Sequence, residues 1–179
     1  DLRSAFGNNL KAYYDHYRIN GYAEGRVATG STELQNPTTV YNGVDYKLVY
    51  DYNYYINKYP DIKAAFNGDE NATLRHFVEC GMNEGRQGKA SFNVAAYRAN
   101  YADLRSAFGR NLKAYYMHYI GSGYREGRKA TGNGVLKNPV TVYNGVDYSL
   151  VYDYNYYISK YSDLKAAFYG DDTAALRHF

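Results

Sequence analysis

The feature that most constrains this chain is an internal duplication. Residues 1–77 align without a gap on residues 103–179, and roughly three quarters of the aligned positions are identical, the level of a sequence duplication. Sequences that repeat at a fixed spacing fold as small units that bury their apolar faces against their neighbours. The chain is therefore predicted to be a repeat protein.

A shorter pattern of aromatic residues, glycines and charges recurs inside the duplication, most clearly in residues 61–86. It divides the chain into partial unit A (1–30), a linker (31–50), unit B (51–90), unit C (91–132), a second linker (133–152) and partial unit D (153–179). Unit A lacks the front of the pattern and unit D lacks its back. We therefore expect the ends of this chain to fall within units.

Each unit is predicted to form three short helices. The first opens at Asp51, Asn93 or Asp153, each an N-cap residue that follows an aromatic residue. The second begins near Pro60 or its equivalent, with an acidic residue in the first turn. The third has apolar residues at i, i+3 and i+4 spacing and is predicted to end at Gly81 as a left-handed C-cap.

The two linkers differ from the units in composition. Each carries an Asn-Gly pair, Asn42-Gly43 or Asn144-Gly145, between the sequences Thr-Val-Tyr and Val-Asp-Tyr. This pattern predicts a two-residue hairpin turn. Because an isolated hairpin is marginal in water, it is expected to pack on the helices. The predicted fold class is mostly all-α: a tandem array of three-helix repeats with short extended or hairpin linkers.

Charge and composition exclude several partners. The formal net charge is only +3, with 21 basic and 18 acidic residues mixed along the sequence, so no basic stripe for nucleic acid is present. A single cysteine rules out an intramolecular disulfide. No apolar run reaches the roughly 18 residues of a membrane span. Neither a nucleic-acid partner nor a membrane span is expected.

The sequence also argues against catalysis. The four histidines, His16, His76, His118 and His178, fall at one repeat position, and a residue copied in every unit more simply serves packing than reactivity. No metal-binding His/Cys spacing, nucleophile elbow or phosphate-binding loop is present. We expect no catalytic residues, metal or cofactor, and hence no enzyme.

The Glu-Gly-Arg triplets allow two interpretations. They begin at Glu24, Glu84 and Glu126, and Glu beside Arg suits a polar ligand or acid–base work. The favoured interpretation is structural: glycine permits a tight turn, and arginine pairs with an acid such as Asp61 or caps backbone carbonyls.

Tyrosine supplies the candidate binding residues, at 25 of 179 positions. Adjacent tyrosines on a helix diverge by about 100°, so they cannot share one core. Rings beside Asn and Asp combine the flat apolar face and polar rim that sugars need. The predicted ligand-binding residues are Tyr13, Tyr14, Tyr54, Tyr115, Tyr116 and Tyr156. The alternative is that these rings pack between units.

Three motifs carry a resemblance to known repeats: the run YNGVDYSLVYDYNYY (143–157), the pair AAF and LRHF, and GMNEGR (81–86). Together they resemble tandem repeats of secreted proteins of gut Gram-positive bacteria, which often accompany cell-wall-active enzymes. The resemblance implies a secreted or cell-surface, non-catalytic module that binds cell-wall polysaccharide, peptidoglycan or a host glycan. Its other partners would be neighbouring repeats or a catalytic domain of a longer parent chain. The alternative is a structural spacer, stalk or self-assembling array without a ligand.

Overall fold

The computed structural model describes residues 2–30, 33–66 and 68–179, which are mostly helical. The α-helices are α1 (Leu2–Phe6), α2 (Leu10–His16), α3 (Tyr52–Lys58), α4 (Pro60–Phe66), α5 (Glu70–His76), α6 (Val94–Asn100), α7 (Ala102–Phe108), α8 (Leu112–His118), α9 (Tyr154–Lys160), α10 (Ser162–Phe168) and α11 (Asp172–His178). The π-helical turns π1 (Tyr17–Gly21), π2 (Phe77–Gly81) and π3 (Tyr119–Gly123) continue α2, α5 and α8. Within the described ranges, every helix is too short or too polar to cross a bilayer.

The first helices begin where the sequence places their caps. The side chains of Asp51, Asn93 and Asp153 each accept a hydrogen bond from the backbone N–H three residues on. The third helices are capped in the same way by Asn9, Asp69, Asn111 and Asp171. Each such cap is worth about 1 kcal/mol. The predicted N-caps of the first helices are confirmed, and a series of short polar side chains fixes most helix starts.

The third helix of unit B, including its π-helical turn, ends at Gly81 as predicted, but Gly81 does not adopt the predicted left-handed conformation. Gly81 is the last residue of π2, and the left-handed residue is Gly85, with φ of +73°. The prediction of a left-handed cap at Gly81 is wrong because the chain widens into a π-turn, and the left-handed residue comes four positions later. There, the backbone N–H of Arg86 donates to the carbonyl of Gly81 over 2.8 Å.

The Asn-Gly pairs form the predicted hairpins. Strands β1 (Val40–Tyr41) and β2 (Val44–Asp45) are antiparallel, with Val40 opposite Asp45; β3 (Val142–Tyr143) and β4 (Val146–Asp147) repeat this register. Both turn residues have positive φ, +49° and +77° in the first hairpin and +50° and +79° in the second, as a type I′ turn requires. The residues Tyr41 and Val44 are half-buried against the first core. The hairpins therefore use the helices as support.

The core is built largely from tyrosine rings and divides into two clusters. The first joins units B and C to the first linker, and the second joins unit D to the second linker and to Ala99 of unit C. The largest fully buried side chains include Tyr50, Tyr52, Tyr55, Tyr97, Tyr115 and Tyr116. Tyrosine thus supplies much of the buried packing, and the hydroxyls of Tyr115 and Tyr116 reach backbone carbonyls from within the core.

Candidate functional site

The most regular contacts centre on the histidine at the end of each third helix. In units B, C and D, its Nδ1 atom lies 3.3, 2.9 and 3.1 Å from a tyrosine hydroxyl of the first helix. The pairs are Tyr55 with His76, Tyr97 with His118, and Tyr157 with His178. Each imidazole also packs on the last phenylalanine of the second helix. The histidine therefore ties the three helices of a unit together, in agreement with the predicted packing role.

A glycine five residues after the histidine makes room for that hydroxyl. A Cβ atom on Gly81 would lie 2.6 Å from the Tyr55 hydroxyl oxygen, and one on Gly123 would lie 2.1 Å from that of Tyr97. Both distances are shorter than van der Waals contact, so any larger residue must displace a buried ring. We call each histidine with its following glycine a tyrosine socket.

Gly123→Ala is expected to destabilise the protein by about 2 to 4 kcal/mol, because the new methyl group must displace buried Tyr97 and break its bond to His118. The matched control is Gly121→Ala in the same π-turn, where a Cβ meets no atom within 4 Å. Its expected change is within about 1 kcal/mol, because alanine has the better helix propensity. Urea unfolding followed by circular dichroism measures both. Equal midpoints for the two variants would contradict the socket.

The Glu-Gly-Arg triplets have the structural role predicted for them. Their glycines have φ between 69° and 73°, a left-handed conformation that glycine adopts without strain. The guanidinium of Arg86 pairs with Asp61 over 2.8 Å, and Arg128 pairs with Asp103 over 2.8 Å. The hydrogen bond from Arg86 holds the pKa of Asp61 below its ordinary value. Both charges of that pair therefore persist at neutral pH, and the pair ties the turn to the second helix.

The joint between units B and C is centred on Tyr116. Its ring lies 5.8 Å from that of Phe77 in unit B and 5.0 Å from that of Phe92. Its hydroxyl donates to the carbonyl of Arg86 over 2.9 Å. The neighbouring Lys113 ammonium donates to a carbonyl of π2. Tyr116 is fully buried between the units. It therefore cannot belong to the candidate ligand surface.

Tyr115 leaves the candidate ligand surface for a different reason. It is also fully buried, but inside its own unit, where its hydroxyl donates to the carbonyl of Gly109 over 3.0 Å. Tyr13 makes the same bond to Gly7 and is half-buried. This member of each tyrosine pair closes the loop between the second and third helices. Its hydroxyl is engaged by backbone rather than directed to a ligand.

Three of the predicted residues do reach solvent. Tyr14 is 76% exposed and Tyr156 is 65% exposed. Tyr54 is half-buried, its hydroxyl accepts from the Lys58 ammonium, and that ammonium lies 5.3 Å from its ring centroid. Tyr54 and Tyr156 occupy the same position of α3 and α9, the third residue of each helix. The structure thus leaves two equivalent rings, and the separate Tyr14, accessible to a ligand.

The acids, histidines and buried tyrosines decide what chemistry the described part of the chain can perform. Across residues 2–30, 33–66 and 68–179, no three His, Cys, Asp or Glu side chains are placed to hold a metal ion. Burial raises the pKa of the Tyr50, Tyr55 and Tyr116 hydroxyls well above their ordinary value. These hydroxyls stay protonated at neutral pH and cannot act there as bases.

One buried ion pair was missed by sequence reasoning. Arg105 and Asp172 lie 3.1 Å apart with side chains only 3% exposed, and Arg105 also donates to carbonyls of α6 and of the second linker. Asp172 in turn accepts from the backbone N–H of Val140. The sequence does show an acid directly after the N-cap of the third helix in units B and D. It does not show which distant residue pairs with that acid. This network joins unit C, the linker and unit D.

Comparisons with known proteins return no relative of this chain. No family description matches it, and neither a curated protein nor a solved structure is significantly similar. Function is therefore inferred from the internal repeats and from the contacts that join them.

Proposed function

We propose that this chain is a non-catalytic, extracellular repeat module that acts as a structural spacer, built from tandem three-helix units that stack through their aromatic faces. The observation that carries the proposal is the burial of Tyr116 between units B and C, on rings from both units. The secreted or cell-surface location rests on the motif resemblance. Neighbouring repeats, or an attached catalytic domain of a longer parent chain, are the proposed covalent partners.

The polar residues that recur in every unit also support a spacer. The histidines hold the three helices together, and the arginines of the Glu-Gly-Arg triplets bind acids within the same unit. Residues with catalytic or ligand-binding potential are thus used at equivalent internal contacts. A module in which most of the recurring histidines and arginines serve cohesion fits a role in separating or presenting other domains.

A second candidate function is glycan binding through Tyr54 and Tyr156. The observation that favours it is a tyrosine repeated at one helix position in units B and D, half-buried as Tyr54 and exposed as Tyr156. An exposed tyrosine offers a sugar its apolar face and its hydroxyl. The proposed ligands are cell-wall polysaccharide, peptidoglycan or a host glycan, and two weak sites on one chain would act together by avidity.

Sedimentation with purified Gram-positive peptidoglycan separates these two functions. The spacer predicts that the chain stays in the supernatant at concentrations of tens of micromolar, as does the double variant Tyr54→Ala/Tyr156→Ala. Both side chains reach solvent, so the variant is expected to keep its circular dichroism spectrum and to lose less than about 1 kcal/mol of stability. Co-sedimentation of the parent but not of the folded variant would overturn the spacer and establish the glycan site.

A further inference from the structure

Unit A carries an apolar groove of about 770 Å³ on the face formed by α2, π1 and the turn after them. Leu10, Tyr14 and Val27, which line it, are 71%, 76% and 83% exposed. Other residues of the lining are Leu2, His16 and Tyr17. Large apolar side chains rarely gather at such exposure on a soluble surface unless another chain segment covers them.

The equivalent face of unit C shows what covers such a groove. Residues 86–102, which we call the joint segment, lie across it. The ring of Phe92 packs 5.0 Å from Tyr116 and 4.8 Å from Tyr119, the counterparts of Tyr14 and Tyr17. The Tyr116 hydroxyl bonds to the carbonyl at the start of the joint segment. The exposed rings of unit A therefore belong to a surface that is covered in unit C.

Backbone groups fix the joint segment at its other end. The N–H of Asn93 donates to the carbonyl of Ala130, and the Asn100 amide donates to the carbonyls of Lys129 and Thr131. The N–H of Lys129 donates to the Tyr101 hydroxyl. In unit A, the corresponding backbone is that of residues 27–29, at the edge of the groove. The groove thus offers polar anchors beside its apolar floor.

Among the described residues, the tyrosine socket of unit A has its histidine and glycine but no tyrosine hydroxyl among the atoms nearest to that glycine. The Nδ1 atom of His16 is buried and has no hydrogen-bond partner among the described residues. A Cβ on Gly21 would lie 3.2 Å from the ring of Tyr17, 3.4 Å from that atom and 3.5 Å from Arg26 Cδ, so its three nearest described atoms include no tyrosine hydroxyl. In units B and C the matching space holds the hydroxyls of Tyr55 and Tyr97. A buried, unpaired imidazole nitrogen is costly, so a donor that reaches it gains binding energy.

We propose that this groove is a docking site for a repeat segment of the joint-segment type. The segment consists of an extended stretch, an aromatic residue, an Asn or Asp N-cap, and a short helix with tyrosines four and eight residues after the cap. In the joint segment these positions are Phe92, Asn93, Tyr97 and Tyr101. The aromatic residue covers Tyr14, and the first helical tyrosine enters the socket of His16 and Gly21. The site therefore recognises another repeat of this kind, whether the chain is a spacer or a glycan-binding module.

A synthetic peptide with the sequence of residues 86–102 tests the proposal on the intact chain by NMR. Shifts are expected in the His16 imidazole and in the amides of residues 10–29, with His76, His118 and His178 unchanged. A peptide with Tyr97→Phe is expected to bind roughly five- to tenfold more weakly, because it leaves the buried His16 nitrogen unpaired. Shifts centred on another unit, or equal binding of the two peptides, would overturn the proposal.

The matched protein variant is Gly21→Ala. In the free chain its methyl group would lie 3.2 Å from the half-buried ring of Tyr17, 3.4 Å from His16 Nδ1 and 3.5 Å from Arg26 Cδ. These contacts are much looser than those at Gly81 and Gly123, so the variant is expected to fold with unchanged stability within about 1 kcal/mol. The same methyl group fills the place of the incoming hydroxyl, so peptide binding is expected to fall at least tenfold. Retained binding by folded Gly21→Ala would contradict the socket as the recognition element.

A fused version covers the case of weak peptide affinity. A copy of residues 86–102 placed directly ahead of residue 1 is expected to slow amide hydrogen exchange in α2 and π1 at least tenfold, and Gly21→Ala is expected to abolish that protection. Unchanged exchange on fusion would overturn the proposal. Concentration-dependent dimerisation that buries Tyr14 and persists when the peptide is added would also overturn the proposal, since a second copy of the chain would then occupy the groove. Binding of a cell-wall glycan at Tyr14 in place of the peptide would overturn it as well.

Discussion

Raising the pH above about 10 is expected to unfold the protein cooperatively, because its core depends on neutral tyrosines. Six tyrosines are fully buried among the described residues: Tyr50, Tyr52, Tyr55, Tyr97, Tyr115 and Tyr116. Burial raises the pKa of each above the ordinary value near 10. Above pH 10 the folded state therefore binds more protons than the unfolded state, and the free energy of unfolding falls as the pH rises.

The expected size of this loss is comparable to the total stability of a domain. Each buried tyrosine that stays neutral costs about 1.4 kcal/mol at pH 11 relative to neutral pH. The four of the six whose pKa is raised furthest, Tyr50, Tyr55, Tyr97 and Tyr116, therefore cost roughly 6 kcal/mol together. Since native domains are stable by about 5 to 15 kcal/mol, the transition is expected between about pH 10 and 12.

Parallel titrations measure the transition. Tyrosinate absorbance at 295 nm and circular dichroism at 222 nm should change together, with the steep part of the absorbance rise coinciding with loss of helix. Repeating the titration at high ionic strength separates phenolate burial from general charge repulsion, which salt screens. Retention of full helicity at pH 12 while all tyrosines ionise would show that the rings are more accessible than their packing indicates.

Local features of the fold were predictable because they depend on a few neighbouring residues. The N-caps at Asp51, Asn93 and Asp153 and the Asn-Gly hairpin turns each form within four residues of chain. Such motifs satisfy backbone groups at once and need no information from distant units. The mostly helical content follows from the same local signals.

The exposure of the tyrosines was not predictable locally, and one comparison shows why. Residues 9–14 and residues 111–116 have the same sequence, Asn-Leu-Lys-Ala-Tyr-Tyr, and both begin a third helix. Tyr116 is fully buried, whereas Tyr14 is 76% exposed. The difference lies in what packs against the helix from outside the hexapeptide. Candidate ligand residues chosen by local pattern therefore mixed core positions with surface positions.

The π-turns were missed for a related reason. A glycine after an amphipathic helix usually marks a left-handed cap, but Gly81 and Gly123 are instead required by tyrosines that come from the first helix of the same unit. A close approach between residues 26 positions apart, as between Tyr55 and Gly81, leaves no signature in the local sequence. Repetition of the glycine across units indicates that a residue without a side chain is required there, but it does not identify the tyrosine that requires it.

Asp172→Asn is expected to cost about 3 to 5 kcal/mol, because it leaves the guanidinium of Arg105 buried without its counter-charge. Both side chains are 3% exposed, and Arg105 also holds backbone carbonyls of α6 and the second linker. The loss should therefore appear first at the joint between units C and D. Urea unfolding gives the free energy, and amide exchange in α11 and residues 136–140 gives its location.

The duplicated half of the chain provides the matched control. Arg3 and Glu70 form the equivalent pair over 3.2 Å, with side chains 34% and 15% exposed. Arg3 also donates to the carbonyls of Gln35 and Asn36, as Arg105 does to the corresponding carbonyls. Glu70→Gln is expected to cost at most about 1 kcal/mol, because water screens this pair. Similar losses for the two variants would show that the shared linker contacts, rather than burial under α6, set the strength of the joint. A large loss confined to Asp172→Asn would show that the added first helix, α6, converts a weak surface pair into a joint that holds neighbouring units together.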